Sequence, residues 1–254
     1  MSKITLKDWI GKQEYSNDII SFTPIKALSA TLDLEHIELK ERSKIRELWH
    51  WLYFLPMHHQ KEIGKDGHAR RGVFLPPVAL PRRMWASGKF IFCSDISIGD
   101  KVKRISTIEN IEEKSGRTGP LVFVKVRHDV YVEHNVSPSL IEHQYIVYRD
   151  EKRKDERELV SKKANSKSKW FREVVPDEVL LFRYSALTFN GHRIHYDRKY
   201  TIEEEGYPGL VVHGPLLATL LLDLVYRQLP HVNIKEFRFK ALRPIFDLNS
   251  FSLH

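Results

Sequence analysis

The chain has 254 residues, 42% hydrophobic and 11% aromatic, enough for a packed core and against wholesale disorder. Its single cysteine, Cys93, excludes an internal disulfide framework and fits a reducing compartment. The formal charge is +8, but nine Lys/Arg against five Asp/Glu between Arg149 and Lys169 put half of that excess in one mixed-charge segment.

Residues 5–20 and 24–33 read as short helices, with Pro24 suited to a first helical turn. Ile45, Leu48, Trp49, Leu52 and Leu55 recur at three and four, which predicts an amphipathic helix from Glu38 to Leu55, stopped by Pro56. His58 to Arg71 is polar and glycine-containing, hence a loop. Strand-like runs follow at 89–98, 101–113, 121–133 and 140–149, with turns at Gly99-Asp100 and Ser115-Gly116. The charged stretch that follows reads as a solvated linker. A second block starts near Trp170, with a strand at 178–188, a polar loop, a helix from about Pro215 to Tyr226 and a strand at 232–243. Two blocks, each with a long helix and several strands, predict an α+β protein whose sheets wrap helices. The N-terminus lacks the apolar core of a signal peptide, and no apolar run approaches the roughly 20 residues of a membrane span. A cytoplasmic protein with neither membrane nor nucleic acid as partner is therefore expected. The remaining positive charge is scattered, with no aromatic-interleaved basic groove, and suits an anionic small ligand.

The most informative stretch runs from Tyr184 to Asp197. Asn190 and His195 flank Gly191, and such a loop can turn both side chains toward one cavity. Taken alone it is equally a surface loop closed by an Asx turn at Asn190. His213-Gly214-Pro215 then opens an apolar helix: Gly214 permits close backbone approach, Pro215 fits the first turn, and the unpaired N–H groups there favour an oxyanion.

These residues resemble the hydratase signature of the MaoC-like, hotdog-fold enoyl-thioester hydratases and dehydratases. In its usual form that signature runs Gly-Asp-x-Asn-Pro-x-His-x-Asp, followed by a His-Gly pair before the hotdog helix. Asn190 stands at the acid position, His192-Arg193 replaces Asn-Pro, His195 matches the catalytic histidine, Asp197 the terminal acid and His213-Gly214 the His-Gly pair. The spelling Phe-Asn-Gly-His-Arg-Ile-His-Tyr-Asp is similar to the branch holding mesaconyl-C4-CoA hydratases, itaconyl-CoA hydratases and type 2 hydroxyacyl-thioester dehydratases. Phe74-Leu75-Pro76-Pro77 and Leu80 to Ala86 look like the N-terminal hotdog of that branch.

The resemblance implies a double hotdog: a degenerate hotdog over 1–150, the charged linker over 151–169 and a catalytic hotdog over 170–254, with a homodimer possible through the sheets. It implies reversible hydration of a short, dicarboxylic enoyl-CoA, with the CoA carried by the substrate and neither cofactor nor metal. His195 would be the acid/base, Asn190 a positioning group and Gly214 the oxyanion donor. Arg82, Arg83, Tyr184, His192, Arg193 and His213 would contact substrate. An amide accepts no proton near neutral pH, so His195 would handle the proton alone. Relatives usually continue for one or two strands beyond the helix and its following strand, so the expectation is either a fold completed differently or by a partner, or a shortened form of the sequence. The alternatives are a 3-hydroxyacyl-thioester dehydratase of fatty-acid synthesis and a non-catalytic acyl-thioester binding module.

Overall fold

The computed structural model describes residues 5–34, 40–116, 119–150 and 167–254. Its strands are β1 (Gln13–Ile19), β2 (Arg82–Phe92), β3 (Lys101–Gly116), β4 (Gly119–Val132), β5 (Leu140–Arg149), β6 (Arg172–Val174), β7 (Glu236–Lys240) and β8 (Phe251–Leu253). Its helices are α1 (Phe22–Thr31), α2 (Glu178–Leu187), α3 (Arg198–Glu203) and α4 (Gly214–Gln228). Six strands form one antiparallel sheet in the order β1-β3-β4-β5-β2-β7, while β6 and β8 pair separately.

In β4 the residues Val122, Val124, Val126 and Val130 are buried at period two, the pattern of a strand with one face on a core. That core is shared by both halves. Phe90, Val102, Val130 and Leu140 of the sheet pack with Ile25 and Leu28 of α1 and with Leu216, Leu220 and Leu224 of α4. The spacing of four along α4 places its three leucines on one stripe. Asp223, which interrupts the apolar run of α4, is buried and accepts from Arg46, Arg172 and Arg227. Pairing of β7 with β2, Phe237 opposite Phe90, adds a strand of the second half to the sheet of the first. Where β2 meets β5 the register slips between Trp85 and Ser87, and this bulge sits beside the site described below.

The expected strands at 101–113, 121–133 and 140–149 appear within a residue or a few, and the strand expected at 89–98 starts earlier, directly after Pro81. Three expectations change. Residues 5–20 hold a single 3-10 turn and then β1, whose alternating burial matches a strand laid along β3. Of the helix expected over 38–55, residues 38 and 39 lie outside the described residues, and the rest is a turn-rich segment with one 3-10 turn at Trp49–Leu52. Ile45, Leu48, Trp49 and Leu52 are all buried there, but Leu48 adopts φ +69, a left-handed backbone that breaks a helix. The segment 178–188 is α2, not a strand. Asp177 Oδ1 caps it by accepting Leu180 N–H at 2.7 Å, and the buried face is Leu181, Tyr184 and Ser185. Val179 and Phe182, which suggested alternation, face outward. The charged segment expected as a linker lies mostly outside the described residues.

Candidate active site

The loop after α2 carries Asn190 to His195 to the start of α3, whose cap is Asp197. Asn190 Oδ1 accepts the backbone N–H of His192 at 3.0 Å, the Asx turn that its residue type favours, so its amide shapes the loop. His195 is 7% exposed and its Nδ1 lies 2.6 Å from the carbonyl oxygen of Val211. A carbonyl only accepts, so Nδ1 carries the hydrogen and Nε2 is left as an acceptor. Burial pulls the His195 imidazole down to about 4, with the nearby His68 adding to the shift and the Val211 bond opposing it.

His213 is fully buried behind His195, its ring stacked on the His195 ring at 3.7 Å, and its Nε2 meets Ser185 Oγ at 2.8 Å. It supports the histidine in front of it. The next residue opens α4. No side chain caps that terminus, so the Gly214 N–H is one of the helix's unsatisfied donors. A Cβ at Gly214 would come within 3.0 Å of the Trp85 ring, which packs against the helix start from β2.

His213, expected to contact substrate, is sealed behind His195 and does not reach the cavity; the other groups line one space of about 2110 Å³, walled by both halves: Trp51, Arg82, Arg83 and Trp85 on one side, Asn190, His192, His195 and Gly214 on the other. That volume exceeds what a drug-sized ligand needs and suits a long one. Tyr184 reaches the wall as well, although the residue is only 2% exposed and burial holds its phenol well above the usual range. The structure thus gathers Asn190, His195, Gly214, Arg82, Arg83, Tyr184 and His192 around one space. Arg193 touches the same space but is committed elsewhere. Its guanidinium binds Asp197 Oδ2 at 2.7 Å, stacks over Tyr200 and donates to the Lys65 carbonyl at 3.1 Å, which ties the loop down. The two neighbouring arginines also differ. Arg82 donates to the Glu205 carbonyl at 2.7 Å and lies over the Tyr207 ring, whereas Arg83 has no carboxylate partner among the described residues and stands beside His68 and the Tyr148 phenol.

Sequence reasoning missed the contribution of the loop before β2. Gly64 to His68 folds against the 190–195 loop, with Arg193 N–H on the Asp66 carbonyl at 2.9 Å. Gly67 has φ +88, and a Cβ there would fall 1.8 Å from the Gly191 carbonyl oxygen, so only glycine allows this approach. The contact delivers His68, whose ring lies 4.0 Å from that of His192; His192 in turn lies 5.4 Å from His195. Burial lowers the His68 imidazole to about 4, helped by Arg83 and Arg71 and opposed by Asp66. His192 and His213 are also held well below the usual range, by burial first and by their imidazole neighbours second. Burial pushes the Asp66 carboxyl up, but the hydrogen bond and charge of His68 outweigh it and hold the group well below the usual range. One donor atom from each of Asp66, His68 and His192 lies within 4.8 Å of the others, a grouping of metal-ligand types. Its carboxylate is already bonded to His68, so the set is a carboxylate–imidazole pair with a second ring against it.

Comparison with known proteins bears on this arrangement. The profile of the family described as "Hydroxyacyl-thioester dehydratase type 2" matches residues 48–247. The chain is 44% identical over 253 residues to a mesaconyl-C(4)-CoA hydratase of Chloroflexus aurantiacus, covering 100% of this chain and 89% of the relative. It is 30% identical to the mitochondrial hydroxyacyl-thioester dehydratase type 2 of Schizosaccharomyces pombe, covering 90% of this chain and 85% of the relative. A solved Mycobacterium tuberculosis structure described as a double hotdog superposes with a TM-score of 0.54 at 11% identity, over 95% of this chain and 82% of that one. The fold is that α+β hotdog architecture, as the sequence implied.

Proposed function

Because the chain belongs to the type 2 hydroxyacyl-thioester dehydratase family, a family of hydro-lyases, we propose that it adds water reversibly to the double bond of a short, dicarboxylic enoyl-CoA. Mesaconyl-C4-CoA is the first substrate of that reading, carried by the 44% identical relative, and itaconyl-CoA the second. The observation that carries it is His195, its Nε2 without a partner among the described residues, on the wall of a large cavity that also holds the uncapped N–H of Gly214.

The chemistry follows from those two groups. Water hydrogen-bonded to His195 Nε2 attacks the β-carbon of the α,β-unsaturated thioester. Charge develops on the thioester oxygen, where the Gly214 N–H and the positive end of α4 stabilise it; one such donor is worth about 3–4 kcal/mol in other enzymes. The α-carbon is protonated from the same face. Asn190 carries no proton and keeps the loop in shape. The distal carboxylate pairs with Arg83, whose charge has no carboxylate partner among the described residues, while Arg82 is engaged by Glu205.

Purified protein should consume mesaconyl-C4-CoA with loss of enoyl absorbance, and His195→Ala should abolish turnover while keeping the thermal unfolding profile. Binding of the thioester without turnover by the wild type would replace the hydratase reading with a binding module. Equal rates on long-chain enoyl thioesters would favour the dehydratase reading, which the Schizosaccharomyces pombe relative and the size of the cavity support.

A further inference from the structure

Four imidazoles stand on the wall of the cavity, His58, His68, His192 and His195, and among the described residues the one of them bonded to a carboxylate is His68. Its Nδ1 gives its hydrogen to Asp66 Oδ2 at 3.0 Å, and Asp66 Oδ1 takes the backbone N–H of His68 at 3.1 Å. The carboxylate therefore fixes the tautomer and the ring orientation, and Nε2 of His68 is left without a partner among the described residues. The loop that carries this pair is locked to the loop of His195 through the Gly67–Gly191 approach and the Arg193 bonds to Asp66 and Lys65. The two imidazoles are parts of one rigid wall.

A base in the act of proton transfer is a cation, and the two rings differ in what would hold that charge. An imidazolium at His195 would face a carbonyl and lie 3.7 Å from the buried ring of His213. An imidazolium at His68, whose side chain is 23% exposed, would face an ionised carboxylate, the arrangement that orients and charges the histidine of Ser-His-Asp sites. In the usual signature a carboxylic acid shares the proton work with the histidine, and here Asn190 occupies its place.

We propose that the Asp66–His68 pair supplies the carboxylate-backed acid–base group that position 190 lacks, with His68 carrying the proton and His195 holding the water. The proposal rests on the hydratase reading and divides within it the work otherwise given to His195. Water, hydrogen-bonded to His195 Nε2, passes one proton to His68 Nε2 as its oxygen bonds to the β-carbon. The π electrons move to the α-carbon and onto the thioester oxygen, which the Gly214 N–H holds as an enolate. The same proton then leaves His68 for the α-carbon, the enolate pair forming the C–H bond, and His68 returns to the neutral state. One water is added, one proton is carried, and Asp66 stays ionised throughout.

Steady-state hydration of mesaconyl-C4-CoA by the wild type, His68→Ala, Asp66→Asn and the double variant His68→Ala/Asn190→Asp tests this. His68→Ala should lower kcat about 100-fold or more with little change in KM, in the range of general acid–base contributions. Free imidazole should restore about 10-fold of that loss, and Asn190→Asp in the same background should recover part of it by returning a carboxylate. Asp66→Asn should lower kcat by about 10-fold with an unchanged unfolding midpoint. Wild-type kcat in His68→Ala would overturn the proposal, as would a loss that imidazole leaves untouched and that follows a drop in Tm. Loss of wild-type activity on chelation, regained with added Zn²⁺, would also overturn it by making the cluster a metal site. A wild type that turns over no enoyl-CoA overturns the hydratase reading and this proposal together, whereas an active wild type with an indifferent His68→Ala overturns this proposal alone.

Discussion

His50 and Glu142 meet at 2.9 Å inside the first half of the chain, and His68 and Asp66 meet at 3.0 Å beside the cavity. Both are carboxylate–imidazole pairs. In the inner one the side chains are 5% and 3% exposed, against 23% and 34% in the other. Glu142 also accepts from Trp51 Nε1 at 3.1 Å and Gln144 Nε2 at 2.7 Å. Burial pushes its carboxyl up, yet the His50 bond and charge prevail and bring it to about 2. Both carboxylate oxygens are bonded, and at 2% exposed Glu142 is out of a reacting atom's reach. The outer pair leaves one imidazole nitrogen open to the cavity. What separates a structural pair from a reactive one is access, and the difference lies in which loop presents it.

Breaking the inner pair should have the largest effect on stability. Glu142→Ala strands one buried and two partly buried donors, at about 1–3 kcal/mol for each donor left unsatisfied, to be read as a lowered denaturation midpoint. Gly67→Ala attacks the presentation of the outer pair instead. Its Cβ would meet the Gly191 carbonyl at 1.8 Å, so the two loops must part, at about 1–3 kcal/mol for overpacking, with a loss of kcat larger than the loss of stability. Arg83→Gln should raise KM for a dicarboxylic enoyl-CoA about 30-fold, the equivalent of about 2 kcal/mol for a charge-assisted bond, and leave KM for crotonyl-CoA nearly unchanged. An equal change for both substrates would remove Arg83 from carboxylate recognition.

The smallest effect comes from pH. His68 and His195 are each lowered to about 4, so both are neutral bases above that value, and the hydration rate should stay flat from pH 8 to about 5 and fall near 4. A half-maximal point near the ordinary histidine value of about 6.5 would contradict the burial of both rings. Stability should follow the same sign. The unfolded chain binds protons at these histidines from about pH 6.5 downward, whereas the folded one resists until about 4, so the stability present at neutral pH is lost as the pH falls between the two.

The legibility of the outer site in the sequence divides along the same line. Asn190, His195 and Gly214 could be read because their motif is local, and the helix that positions Gly214 announces itself by Pro215 and an apolar run. His68 could not, because the loop it packs against comes 128 residues later, where Arg193 meets Lys65, and Asp66-Gly67-His68 reads as an ordinary polar turn. A carboxylate two residues before a histidine with glycine between them was the available signal. The strands were legible by alternation, whereas α2 was misread because Val179 and Phe182 mimic an alternating strand although they are exposed. Its true marker was Asp177, whose carboxylate caps the first turn. Around Leu48 the expected apolar residues are buried except Leu55, which is half-buried, but the backbone is not the expected helix, since Leu48 takes φ +69.

The most direct test of the difference between the two pairs is kcat per folded molecule on mesaconyl-C4-CoA at pH 7, measured together with Tm for Asp66→Asn and Glu142→Gln. Asp66→Asn should lose about 10-fold in kcat at an unchanged Tm, and Glu142→Gln should lose Tm while its folded fraction keeps near-wild-type turnover. The reverse pattern, a stable and slow Glu142→Gln beside a fast Asp66→Asn, would contradict the account.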